Sequence, residues 1–492
     1  MADALRYCRP EAVGVHPSWV ENYSKELKKL GKMQHSFLML RHGQVFAEGY
    51  HNPFHKDQFH RMYSVSKTFV SAAIGILVDE GKIRLTDKVV DYFPDLLPEK
   101  VHPFLAEATI RDLLMMATPH LQNTYDRYTE NWIHSFFNPE NEPDHPAGSE
   151  FRYDTSGTYT LNVLVERVSG KPFLDFLKER MLLELGFSED SWCVESPEGI
   201  QWGGSGIQCT IRDLARFALV FLNRGVVNGK RYLSEDYISQ ATSKQIDNTS
   251  PEGVDMTHSL GYGYKIWMTH DGSYSFLGMG GQMAVVIPQK DMLFVCTGDM
   301  QGEPNEYEGI MRCLWQEVVE KLSDEPLEED GEALARMEAT LKDLSCVVPE
   351  GSPASGKMAE VQGVTYKLEE NPMGIRSFIL YFEGDSGKIL YDTDRGLREI
   401  PFGMGSYVHH LFPDAYDYGK RIHQEELVHY KSMTAAVWPE EDRLLIRTYV
   451  IDDYFGNMAA EFTFRDSQVQ VCMTKTAEWF LDEYQGTAVG SR

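Results

Sequence analysis

The chain lacks the cysteine pattern of a disulfide framework or a zinc site. Its seven cysteines, Cys8, Cys193, Cys209, Cys296, Cys313, Cys346 and Cys472, are odd in number, widely scattered and without a C-x-x-C pair, which fits reduced thiols in a cytosol. Positive charge is scarce as well. Against 74 Asp and Glu stand 47 Lys and Arg, a formal charge of -27, which argues against a nucleic-acid groove or an anionic membrane as the main partner. No stretch has the roughly 18 consecutive apolar residues of a membrane span, and the opening "MADALRYCRPEAVG" lacks the basic start, apolar core and cleavage site of a signal peptide. The expectation is a soluble, cytoplasmic protein. There is no G-x-S-x-G elbow and no H-E-x-x-H, and the histidines are scattered without ligand spacing, so neither a metal nor an organic cofactor is expected.

What is present is apolar bulk. The 492 residues are 42% hydrophobic and 12% aromatic, enough for a large core and for two or three domains. "SFLMLRHGQVFAEGY" (36 to 50) has two β-type runs flanking His42-Gly43, a hairpin pattern. Helical patterns follow at 109 to 117, 158 to 170, 172 to 187 and 210 to 225, then strand-like runs at 283 to 288 and 292 to 299 and a helix at about 305 to 322. Strands at both ends with helices between them imply one sheet assembled from distant parts of the chain. From 323 to 345 the chain is acidic and proline-punctuated and then helical, which reads as a linker. From 346 to 492 the pattern is β: in "NMAAEFTFR" Ala460, Phe462 and Phe464 alternate with Glu461, Thr463 and Arg465, and 375 to 383, 443 to 451 and 468 to 474 are further strands. This region is expected to be a separate antiparallel β-domain, sandwich or barrel-like, able to cap a cleft, bind a partner or support a homo-oligomer.

One stretch carries chemistry. "RMYSVSKTFVSAAIGILVDEGKIRL" (61 to 85) places Lys67 three residues after Ser64, at the head of a run apolar on nearly every side of a helix. Residues i and i+3 share a helix face, so the hydroxyl and the amine can touch. Burial disfavours the charged ammonium, and a neutral amine can take the serine proton. The nearby helix N-terminus suits an oxyanion hole. S-x-x-K is short and arises by chance, but Ser64 is the one serine in this chain with a lysine three residues later.

In "YSVSKTFVSAAIGILVDEGKIRLTDKVVDYFPD", "ATIRDLLMMAT", "PAGSEFRYDTSGTYTLNVLVERVSGKPF", "GGSGIQCTIRDLARFALV" and "GMGGQMAVVIPQKDMLFVCTGD", the chain resembles the serine β-lactamase-related hydrolases of the class C and penicillin-binding-protein type, over roughly residues 10 to 320. The resemblance implies an α/β fold, an antiparallel sheet backed by helices with a mostly helical second lobe, and the active site between them. It makes Ser64 the acylated nucleophile and Lys67 its partner. The family's tyrosine-x-asparagine motif falls on Tyr153-Asp154-Thr155, so Tyr153 keeps the phenol that shares the lysine's proton network and Thr155 replaces the amide. The third motif, on an edge strand, falls on Phe276, Leu277 and Gly278, without its usual cation or hydroxyl. The backbone N–H groups of Ser64 and Met279 would then form the oxyanion hole.

Losing that cation removes a grip on a substrate carboxylate, so the expected substrate is a small ester or amide with a neutral or apolar recognised part, cleaved more readily than a penicillin. Lys265 and His270 also stand near the third motif and read as surface residues. The aromatic stretch around Tyr125 and Trp132 is a candidate wall of the acyl pocket, with ordinary core packing as the competing reading. Acyl transfer from the same intermediate and a catalytically inactive binding module remain open as alternatives.

Overall fold

His42 and Gly43 have left-handed backbone, with φ of 51° and 69°, the geometry of a two-residue hairpin turn. The expected hairpin accordingly forms, Gln34–Arg41 pairing antiparallel with Gln44–Tyr50 and Arg41 facing Gln44 across the turn. The computed structural model describes residues 4–249, 256–303, 306–477 and 484–492. They divide into one unit that runs to Cys346 and includes Lys420–Ile422, and a second made of Val347–Gly419 and His423–Arg492.

The first unit is built on a seven-stranded sheet in the order Arg6–Tyr7, Gln44–Tyr50, Gln34–Arg41, Met292–Gly298, Gln282–Ile287, Tyr274–Gly278, Trp267–Met268. All pairs are antiparallel except the short Arg6–Tyr7 edge. Distant parts of the chain meet in the middle, where Gln34–Arg41 pairs with Met292–Gly298. Ser36 and Thr297 face each other there and their buried hydroxyls bond at 2.7 Å, so the two polar groups satisfy one another instead of opposing register.

Aromatic residues mark the two faces. On one, Tyr23 of the helix Pro17–Lys29 meets Phe37 and Phe294 edge-on at 5.3 and 5.8 Å. On the other, Phe217 and Phe221 of the helix Ile211–Leu222 pack on Phe276 at 5.9 and 5.0 Å. That second helix starts where the sequence signals it, in a capping box in which Thr210 and Asp213 exchange side-chain-to-backbone bonds. The helical part of the unit lies between the N-terminal strands and Trp267–Met268. Its central helix, Ser66–Asp79, is buried from Ser66 to Leu77 and packs against Thr155–Ser169 and Phe173–Leu177. The helix expected over 172 to 187 is α-helical only to Leu177 and finishes in a wider turn, Lys178–Leu182, and a tighter one, Leu183–Leu185.

The stretch from 323 to 345 is not a free linker. Arg41 is buried and needs acceptors: its Nη1 donates to Val13 O at 2.7 Å and to Ser323 O at 2.6 Å. Ser323 N–H donates to Gly14 O and Leu327 N–H to Glu11 O. Satisfying the buried guanidinium ties the acidic segment down, and the helix Gly331–Lys342 beyond it packs on Pro17–Lys29 with Ala333 and Met337 buried. The second unit is a β-barrel of the strands from Thr365–Leu368 to Tyr484–Ser491. A parallel contact of Gly403 and Met404 with Ala435 and Ala436 closes it. Strands 375 to 383 and 443 to 451 match the sequence reading residue for residue, and Ala460, Phe462 and Phe464 point inward as their alternation requires.

The Phe276 packing gives a stability test. Phe276 is fully buried, so Phe276→Ala should lower the unfolding free energy by about 3 to 5 kcal/mol, read as a shifted denaturation midpoint. A change below about 1 kcal/mol would contradict this placement.

Candidate functional site

Ser64 stands in a single 3₁₀ turn, Tyr63–Val65, directly ahead of the Ser66–Asp79 helix. The turn is strained, because Tyr63 has a φ of 47°, a region a bulky side chain enters at a cost of roughly 1 to 3 kcal/mol. Surrounding contacts hold it there. The buried Arg61 guanidinium lies 4.5 Å from the Tyr63 ring centre and donates to Ser205 O at 3.0 Å and Ser205 Oγ at 3.2 Å.

One helical turn on, Lys67 is 2% exposed. Its Nζ donates to Ser64 Oγ at 2.9 Å and to Gly204 O at 2.7 Å. The amine thus reaches the serine from below while the carbonyl of a glycine-rich turn fixes its other side. Tyr153 completes the group from the helical lobe, its ring centre 5.1 Å from Lys67 Nζ and stacked on Trp267 at 5.5 Å. The loop places it through two anchors. Arg152 N–H donates to Met116 O at 2.7 Å, and the next residue, the buried Asp154, caps Thr155–Ser169 by accepting from Ser156 N at 2.8 Å and Gly157 N at 3.3 Å.

The sheet supplies the remaining wall. Gly278, the last residue of Tyr274–Gly278, lies so close to the serine turn that a Cβ there would sit 2.3 Å from Met62 O, a contact only glycine permits. Met279 follows and lines a pocket of about 560 Å³ together with Ser64, Tyr153, Trp267, Leu277 and Tyr307, among others. The charged side chains lining it, among the described residues, are Glu303, Glu306 and Glu308. Glu303 pairs with Lys32 and Glu308 with Arg312. Burial raises the Glu306 carboxyl above its usual range.

Ser64, Lys67, Tyr153, Leu277, Gly278 and Met279 therefore converge as the sequence reading anticipated. Four candidates do not. Phe276 points away from the pocket into the Phe217 and Phe221 core, because successive strand residues face opposite sides and Leu277 takes the pocket side. Tyr125 and Trp132 stack on each other at 4.2 Å and bury against Tyr159 and Trp202, forming lobe core and no pocket wall. Thr155 opens its helix, donating its N–H to Asn123 Oδ1, and its methyl faces Gly204. Trp267, His258, Tyr307 and the three glutamates were missed. His258, Glu303 and Glu306 lie on turns or irregular chain, Trp267 on a two-residue strand, and Tyr307 and Glu308 at the start of the helix Glu308–Glu317; no residue pattern marks any of them as pocket-lining.

A family model described as Beta-lactamase matches residues 32–306. The chain belongs to the β-lactamase family. It is 26% identical over 288 residues to a 6-aminohexanoate-dimer hydrolase of Paenarthrobacter ureafaciens, an alignment spanning 53% of this chain and 71% of that one. It also shares its fold with a penicillin-binding protein homologue of Caulobacter crescentus, at a TM-score of 0.51 and 16% identity over 62% of this chain and 99% of that one.

In this β-lactamase-family chain Lys265 also departs from expectation, for it is 2% exposed and not on the surface. Its backbone is left-handed, with φ 61°, and its Nζ lies 3.1 Å from Met116 Sδ. Burial pushes its amine well below the usual lysine range; Asp154 opposes that and the nearby Lys67 adds to it. The folded state therefore holds this proton less tightly than the unfolded chain, which takes it up below about pH 10.4. Stability should rise with pH through the window that ends there. In Lys265→Met that rise should be absent, so wild type gains on the variant between pH 7 and 10 in urea unfolding; parallel curves would contradict it.

Proposed function

We propose that this chain is a serine hydrolase that cleaves small esters or amides through an acyl-enzyme on Ser64. The observation that carries the reading is the 2.9 Å contact between Lys67 Nζ and the hydroxyl of Ser64, which lines the pocket. With Lys67 neutral, its amine accepts the hydroxyl proton as Ser64 Oγ bonds to the substrate carbonyl carbon. The developing oxyanion takes hydrogen bonds from the backbone N–H groups of Ser64 and Met279. Tyr153, beside the amine, hands the proton to the leaving oxygen or nitrogen as its bond to carbon breaks. Water then enters along the same proton route, and its attack releases the acid and regenerates Ser64. The kinship with a hydrolase of the 6-aminohexanoate dimer supports hydrolysis as the class of reaction.

The pocket argues about charge. Its carboxylates disfavour an anionic ligand, and the position that would grip a substrate carboxylate holds the core residue Phe276. The preference for a neutral over an anionic recognised part thus rests on the acidic wall, and no basic residue at 276 would reverse it, since a lysine there would lie in an aromatic core.

Ser64→Ala should abolish turnover, and Lys67→Ala and Tyr153→Phe should each lower kcat by roughly 10² to 10⁴, with the double variant far short of the product of the two. Normal turnover in a folded Lys67→Ala protein would remove the assignment. For matched acyl donors, kcat/KM for the neutral one should exceed that for the carboxylate-bearing one by about tenfold or more. Efficient cleavage of a carboxylate-bearing penicillin would contradict the charge argument.

A further inference from the structure

The residue proposed as an oxyanion donor, Met279, opens a turn that glycine makes soft. Gly280 and Gly281 follow it with φ of 80° and 91°, and two consecutive glycines leave such a turn many conformations. Donors that must first be oriented stabilise an oxyanion far less than preorganised ones. Something must therefore hold the turn.

The Met279–Gly280 peptide is gripped at both ends. Its carbonyl, Met279 O, accepts from Gln282 Nε2 at 2.8 Å. Its N–H, that of Gly280, donates to Glu306 Oε2 at 2.9 Å. Gln282 is itself held. Gln282 is fully buried, its Nε2 also donates to Gly298 O at 2.9 Å, and its Oε1 accepts the Gly298 N–H at 3.1 Å, so its amide plane is locked onto the neighbouring strand. Gly280 O in turn accepts the Met300 N–H at 3.1 Å. Of the three pocket glutamates, Glu303 and Glu308 pair with cations, whereas Glu306 directs its carboxylate at the backbone of this turn.

We propose that Glu306 and Gln282 are positioning residues that clamp the Met279–Gly280 peptide and so aim the Met279 N–H at the oxyanion. This rests on the serine-hydrolase reading above. A carboxylate near a developing oxyanion opposes it electrostatically, so the contribution of Glu306 is geometric. It needs an acceptor oxygen and not a charge, and glutamine supplies one.

The test measures kcat and KM on a neutral ester, and the rate at which a fluorophosphonate labels Ser64, in wild type, Glu306→Gln, Glu306→Ala, Gln282→Ala and the Glu306→Ala/Gln282→Ala double variant. Glu306→Ala and Gln282→Ala should each lower kcat and the labelling rate roughly ten- to a hundredfold with KM within about twofold, the pattern of an interaction made in the transition state. Glu306→Gln should stay within about threefold of wild type, and the double variant within about threefold of the slower single, because both residues act on one peptide. Folded Glu306→Ala protein labelled at the wild-type rate, Glu306→Gln as slow as Glu306→Ala, or additive losses would each overturn the clamp. If Glu306→Ala does not fold, Gln282→Ala decides: a wild-type rate there overturns it. A wild type not labelled at Ser64 would overturn the serine reading itself, whereas a labelled wild type with unaffected variants overturns the clamp alone.

Discussion

The site depends on keeping one amine inside an apolar helix. Lys67 is surrounded by a helix buried from Ser66 to Leu77, where an amine without hydrogen-bond partners would cost several kcal/mol. Ser64 Oγ and Gly204 O stabilise it. Each lies on a different piece of chain, so the requirement to satisfy one buried group joins the serine turn to the glycine-rich turn 140 residues later. The other parts of the site are arranged around that joint.

Those parts come from all over the first unit. The sheet contributes Leu277, Gly278 and Met279, the helical lobe contributes Tyr153, and the segment after the last long strand contributes Glu306. Backbone strain collects where they meet: Tyr63, Met116 and Lys265 are all left-handed without being glycine. Such conformations persist only where packing over-determines them, and here the packing is the Arg61–Tyr63 contact, the Arg152–Met116 bond and the Thr68 Oγ1–Lys265 O bond at 2.9 Å.

What was legible beforehand follows the range of the signal. Local chemistry read well: the His42-Gly43 turn, the helix beginning at 210, the strands at 375 to 383 and 443 to 451, and the Ser64–Lys67 pair all depend on residues within a few positions of each other. Motif order placed Tyr153 and the Gly278–Met279 corner. Direction did not read: the motif put Phe276 at the site, and only the pairing register shows that its side chain leaves on the far side of the sheet. Burial of charge misled twice. Arg41 draws in an acidic segment that resembles a linker, and Lys265 sits in the core behind the site. In both, a distant partner decides the outcome, and sequence spacing carries no trace of it.

The central claim is that Ser64 carries the acyl group during turnover. Its most direct test is intact-mass spectrometry of the protein quenched in acid while it turns over a slowly released neutral ester, followed by peptide mapping. The account predicts a gain equal to one acyl group, located on the peptide containing Ser64 and absent in Ser64→Ala. Turnover with no covalent adduct, or an adduct on a different residue, would contradict it.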